Sequence, residues 1–140
     1  MGLWRWALLL MLLSACTPRR NTLEPYRDDA AASAALEARA QTACAAQRPV
    51  TPPNPFRTDG CSAWPDDGWV ECCVVHDMAY WCGGASELRA AADEALRACV
   101  NSVAGGGWAS SMYWGVRLCG AGWMPVPWRW GYGWPWLGDP

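Results

Sequence analysis

Glu71-Cys72-Cys73-Val74-Val75-His76-Asp77-Met78-Ala79-Tyr80 is the stretch on which the fold turns, and Thr58-Asp59-Gly60-Cys61-Ser62-Ala63-Trp64-Pro65-Asp66 stands just ahead of it. Pro65 followed by Asp66 and Asp67 is helix-start chemistry, after which Trp69, Cys72, Cys73, His76 and Tyr80 recur at helical spacing until Gly83-Gly84 ends the element. His76 is the only His in the chain. Neighbouring side chains on a helix diverge by about 100°, so His76 and Asp77 cannot hydrogen-bond each other and must serve two adjacent tasks. One can act as a base while the other holds a cation.

Ser86-Glu87 opens a second helix, Leu88 through about Val103, which Gly105-Gly106-Gly107 terminates; a third and shorter helix is expected from Trp108 to Leu118. Cys72 precedes His76 by about 6 Å of helical rise, and Cys99 follows Asp93 by about 9 Å. A Cys72–Cys99 disulfide between antiparallel helices would therefore bring His76 and Asp93 to similar heights on facing surfaces. Asp93 could then accept the ring N–H of His76, fix its tautomer and leave the other nitrogen to accept from water. Beyond Gly120 Pro, Gly and Trp alternate with no period of helix or strand. The reading is an all-α domain with an irregular aromatic tail.

These residues resemble the phospholipase A2 superfamily, nearest to its secreted bacterial and fungal branch. Cys72-Cys73-x-x-His76-Asp77-x-x-Tyr80 is similar to the active-site helix of that family, Asp93 with Cys99 to the partner helix, and Thr58-Asp59-x-Cys61 with Pro65-Asp66 to the calcium loop. Trp108 to Leu118 resembles the closing helix, so the resemblance spans about Phe56 to Leu118, roughly half of the chain. It implies two long antiparallel disulfide-linked helices, a calcium loop and a third helix. It also implies a role for each residue. His76 is the base that activates water toward the sn-2 ester of a glycerophospholipid, Asp93 orients His76 with help from Tyr80, and Asp77, the Asp59 carboxylate and the Gly60 carbonyl bind Ca²⁺. Such an ion takes about six to eight oxygen ligands in tolerant geometry, which two carboxylates, carbonyls and water can supply. The further helix-to-helix disulfide of the animal enzymes has no counterpart, since both its positions are alanines, Ala79 and Ala92, and their Gly-rich calcium loop is absent.

The resemblance also suggests the pairs Cys61–Cys73 and Cys72–Cys99. Cys82 and Cys119, each following a helix, then form a third expected pair, with Cys44 left over. Zinc is a poor rival for Cys72-Cys73, because adjacent thiols on a helix diverge and no second Cys-x-x-Cys exists.

At the amino terminus one Arg precedes an apolar run, Met1 to Leu13, too short to span a bilayer. It closes on Leu13-Ser14-Ala15-Cys16, which resembles the lipobox of bacterial lipoproteins and would make Cys16 the lipidated first residue; the alternative is an ordinary signal peptide with an incidental Cys16. The expected organisation is a signal over residues 1–15, an Ala-rich and Pro-rich spacer or loosely docked helix over 16–55, and the domain over 56–140. The expected location is the bacterial cell envelope, lipid-anchored outside the cytoplasm, or secreted if Cys16 is not lipidated.

Composition narrows the partners. All 11 basic residues are Arg, scattered among 13 acidic residues for a net charge of −2, which excludes the dense basic face of a nucleic-acid binder. No Gly-rich phosphate loop precedes a helix, so no nucleotide is expected, nor does a Ser nucleophile elbow appear. Eight Cys in 140 residues point to disulfides in an oxidising compartment. Seven of the 12 Trp lie between Trp108 and Trp136, either as an interfacial surface or as filling for a core short of Leu and Ile. The function expected is a monomeric, Ca²⁺-dependent hydrolase acting at a phospholipid membrane or micelle surface. The rival is a catalytically silent lipoprotein of the same fold that binds envelope lipid or a partner.

Overall fold

The computed structural model describes residues 21–121 and 131–133. Among the described residues there are four helices, α1 (Ala30–Gln47), α2 (Val70–Cys82), α3 (Ser86–Ala104) and α4 (Gly106–Cys119), and no strand. The segments expected to form an export signal and a lipobox at Cys16, and the tail tryptophans Trp123, Trp128, Trp130, Trp134 and Trp136, lie outside the described residues.

Helix ends follow local chemistry, with two shifts. Asp29 caps α1 by accepting from the amides of Ala31 and Ala32 through one carboxylate oxygen. The expected caps of α2, Asp66 and Asp67, are spent inside the preceding loop on the amides of Cys61 and Gly68, so the helix starts later, at Val70. Gly105 alone separates α3 from α4, and Gly106 and Gly107 join the first turn of α4 rather than the stop.

Helix α2 is the centre of the molecule and buries two faces. On one side Cys72 and Cys73 pack with Trp69, just ahead of the helix, and with Leu96, Val100, Ala109 and Met112 of α3 and α4. On the other, Val74 and Met78 pack with Leu36 and Ala40 of α1 and with Phe56, whose ring meets Trp81 edge-on. A helix buried on both sides reads as nearly continuously apolar, which explains the sequence of α2.

The sequence reading of the chain before Phe56 needs correction. Residues 30–47 are not a spacer: Leu36, Ala40 and Cys44 form a buried stripe four residues apart, and the alanine lets α1 approach α2 closely. The packed unit therefore begins well ahead of the expected boundary at residue 56. The third disulfide is also corrected. Cys61–Cys73 and Cys72–Cys99 form, but Cys82 bonds Cys44, with Cα atoms 5.2 Å apart, and Cys119 is free and exposed. Docking of α1 carries Cys44 to the buried last residue of α2, whereas Cys119 ends α4 facing outward. The three disulfides assign the folded chain to an oxidising, extracytoplasmic compartment. No described helix is long and apolar enough to cross a membrane.

Of the two tail-proximal tryptophans that are described, Trp108 lies against the buried Trp69 with ring centroids 5.3 Å apart yet is itself 42% exposed, and Trp114 is 61% exposed. Both tryptophans of α4 are displayed at the surface, and Trp108 covers the core at Trp69 from outside.

Candidate functional site

Three helices converge on one carboxylate. Asp93, from α3, is fully buried. Its Oδ1 lies 2.9 Å from His76 Nε2 and accepts the Tyr80 hydroxyl at 2.6 Å, both from α2, while its Oδ2 accepts from Arg117 Nη1 of α4 at 2.7 Å. Burial alone pushes the Asp93 carboxyl up, but the hydrogen bonds from His76, Tyr80 and Arg117 outweigh it and hold the group below its ordinary range. An ionised Asp93 only accepts, so Nε2 is the donating nitrogen of His76, and Nδ1 carries the lone pair when the ring is neutral. The Tyr80 ring stacks on the imidazole with centroids 4.1 Å apart. Burial, and then the neighbouring Asp93, raise the Tyr80 hydroxyl far above its usual range, which keeps it a donor.

The facing-height argument from helical rise thus holds for His76 and Asp93, and Tyr80, one turn beyond His76, completes the same cluster. Sequence reasoning missed Arg117 and Arg89. Arg89 donates to Tyr80 Oη at 3.3 Å and to the carbonyls of Val116 and Arg117 at 2.9 and 2.8 Å. One signal for Arg117 was available: it is the sole charged residue in α4.

Asp77 sits one residue beyond His76 and, as expected for a 100° step, serves a different neighbourhood. Its Oδ2 accepts the hydroxyl of the fully buried Thr58 at 2.6 Å; that hydroxyl also accepts from the Gly60 amide, and Asn21 Oδ1 holds the Thr58 amide at 3.0 Å. Burial pushes the Asp77 carboxyl well above its usual range, the Thr58 hydrogen bond opposes this, and the negative charges of Asp59 and Asp66 add to the rise. The loop that supplies them turns at Gly60, with φ +82°. A Cβ there would stand 2.3 Å from the Asp66 carboxylate, so only glycine fits. Asp59 accepts from the Ser62 hydroxyl.

A cavity of about 470 Å³ opens between these two neighbourhoods. Asp59, Gly60, His76 and Asp77 form its polar end; Trp64, Leu96, Met112 and Val116 form an apolar wall. Among the described residues no three His, Cys, Asp or Glu side chains converge as a metal site by themselves. The donor chemistry nevertheless suits a hard cation, because Asp77 is a buried carboxylate with like charges nearby and a carbonyl-bearing loop beside it. An oriented imidazole lining a partly apolar cavity can take a proton from water there.

The chain matches no protein-family model, no curated protein and no solved structure.

Proposed function

We propose that this chain is a phospholipase A2-like hydrolase that cleaves the sn-2 ester of glycerophospholipids with calcium assistance. The observation that carries the reading is the His76–Asp93 contact beside Asp77, at the polar end of a cavity whose remaining wall is apolar. An acyl chain fits the wall, and an ester with its headgroup fits the polar end.

In this mechanism Asp93 accepts the Nε2 proton of His76 and holds the ring, so that Nδ1 draws a proton from a water in the cavity. The water oxygen forms a bond to the ester carbonyl carbon as its O–H bond breaks, and the proton resides on Nδ1. When the ester C–O bond then breaks, the departing alcohol oxygen takes that proton back, and His76 is neutral again. Tyr80 and Asp93 keep the imidazole plane fixed throughout. The Asp77 and Asp59 carboxylates with the Gly60 carbonyl would hold a calcium ion, which when bound supplies positive charge for the substrate phosphate and for the oxygen on which charge develops. Lipidation at Cys16 would keep the enzyme at the envelope surface, where packed substrate lies.

The test is fatty-acid release from mixed phospholipid micelles by the purified, oxidised protein, with Ca²⁺ or with a chelator, beside His76→Gln. Release that needs both the ion and His76 is expected. A folded, oxidised protein that releases nothing would instead be the silent lipid-binding form.

A further inference from the structure

Asp93 is served by donors of unequal kind. His76 and Tyr80 both approach Oδ1 from α2, whereas among the described residues Oδ2 has a single donor, the guanidinium of Arg117, from a different helix. A carboxylate held only at Oδ1 turns easily, because the terminal sp³–sp² torsion of Asp is broad. A donor on the opposite oxygen fixes the plane. Among the described residues Arg117 is also the only one whose guanidinium touches this fully buried anion, and an uncompensated buried carboxylate is costly enough to change its state or its place.

The bland role for an Arg in the last turn of a helix is to complement the terminal carbonyls. Arg117 does not fill it. The Val116 and Arg117 carbonyls of α4 are taken by Arg89 from α3, and the Arg117 guanidinium turns instead toward Asp93. Arg89 therefore fixes the turn of α4 from which Arg117 reaches. The same Arg89 donates to the Tyr80 oxygen, so that Tyr80 accepts from one partner while donating to Asp93, an arrangement that polarises both bonds in one direction.

We infer that Arg117 is a positioning residue of the site, acting on His76 only through Asp93, and that Arg89 is the brace that holds Arg117 and Tyr80 in place. This rests on the reading of His76 as the base, and it adds a third helix to the pair. Arg117 lines no part of the cavity, so it orients the acceptor of the His76 ring and makes no contact with substrate.

The experiment compares the oxidised full chain with Arg117→Gln, Arg117→Met and Arg117→Lys, using two readouts. The first is kcat and KM for fatty-acid release from phospholipid micelles. The second is the proton NMR signal of the His76 ring N–H, unambiguous because the chain has one His. Arg117→Gln is expected to lower kcat by roughly 10- to 100-fold with KM nearly unchanged. It should also broaden or erase the ring N–H signal through faster exchange, and Arg117→Lys should restore most of both. Arg117→Met keeps the apolar stem and carries the test if the Gln variant does not fold.

Wild-type kcat and an intact ring N–H in a charge-free variant would overturn the inference. A rise in KM alone would also overturn it, by making Arg117 a substrate contact. If the wild type hydrolyses nothing, the hydrolase reading falls and the ring N–H decides separately: its loss without the Arg117 charge and its return with Lys would uphold the positioning role.

Discussion

Asp93→Asn removes a charge while changing almost nothing in shape, and the structure sets the size of the effect. An amide has one acceptor oxygen. If that oxygen stays toward His76 and Tyr80, the amide nitrogen faces the Arg117 guanidinium, donor against donor. The charged bond lost there is worth about 1.5–3 kcal/mol. It falls at the low end because the Arg117 side chain keeps 30% of its surface exposed and can turn to water. The two surviving bonds lose their charge assistance, about half their strength. Destabilisation of about 3 kcal/mol at neutral pH is expected.

The effect has a defined pH dependence. Burial pushes the Asp93 carboxyl up, but the bonds from His76, Tyr80 and Arg117 outweigh it, so the folded protein holds the group below its unfolded value of about 3.9. A depressed carboxyl contributes stability that is complete above the unfolded pKa and is lost as the pH falls through the folded one. The gap between wild type and Asp93→Asn should therefore be full at neutral pH and shrink once the pH drops below about 4. Urea unfolding with the disulfides kept oxidised, followed by tryptophan fluorescence in neutral and acid buffer, measures both points. Equal stabilities at neutral pH, or a gap as wide in acid, would refute the reasoning.

Three further outcomes are expected. Burial first, then Asp59 and Asp66, raise the folded Asp77 carboxyl against the opposing Thr58 bond, so its stability penalty grows as the pH rises from the unfolded value toward the folded one. Without divalent cation Asp77→Asn should thus melt higher than wild type at neutral pH, whereas saturating Ca²⁺, at about 100 times its Kd, should stabilise wild type alone by about 2.7 kcal/mol; calcium-insensitive melting of both would remove Asp77 as a ligand. Gly115→Ala would place a Cβ 2.2 Å from the Trp64 ring, which donates to the Ser111 hydroxyl, so a loss of about 1–3 kcal/mol from overpacking is expected in chemical denaturation. Alkylation of the unreduced native protein should label Cys119 and leave Cys44 and Cys82 linked in one peptide pair by mass spectrometry; replacing both Cys44 and Cys82 by Ser should cost about 2–4 kcal/mol, since the bridge spans a sequence separation of 38.

How much of the site was legible depended on range. His76, Tyr80 and Asp77 lie within five residues on one helix, so the pitch alone decides which of them share a neighbourhood. Asp93 was reachable because one assumed disulfide, Cys72–Cys99, fixes the register of two antiparallel helices. Arg117 offered only the oddity of one charge in an apolar helix, and nothing local said which way its guanidinium turns. Thr58 stood in the quoted loop, yet its bond to Asp77 and its tie to Asn21 depend on how the chain before α1 returns to that loop.

The sequence by itself determined the helical class, the near extents of α2, α3 and α4, the oxidising compartment and the grouping of His76 with Asp93. The first two follow from helical period and terminal glycines, which act over a turn or two of chain, the third from cysteine count, and the last from helical rise measured from the assumed Cys72–Cys99 bridge. Only the tertiary structure decided that α1 belongs to the core, that Cys44 and not Cys119 meets Cys82, and that two arginines brace the buried carboxylate. Those contacts join residues between 24 and 38 positions apart, apart from the Arg89–Tyr80 bond at nine. They are set by which helix faces lose water together, and a weakly apolar stripe such as Leu36, Ala40 and Cys44 reveals its partner only when the facing surface of α2 is in place.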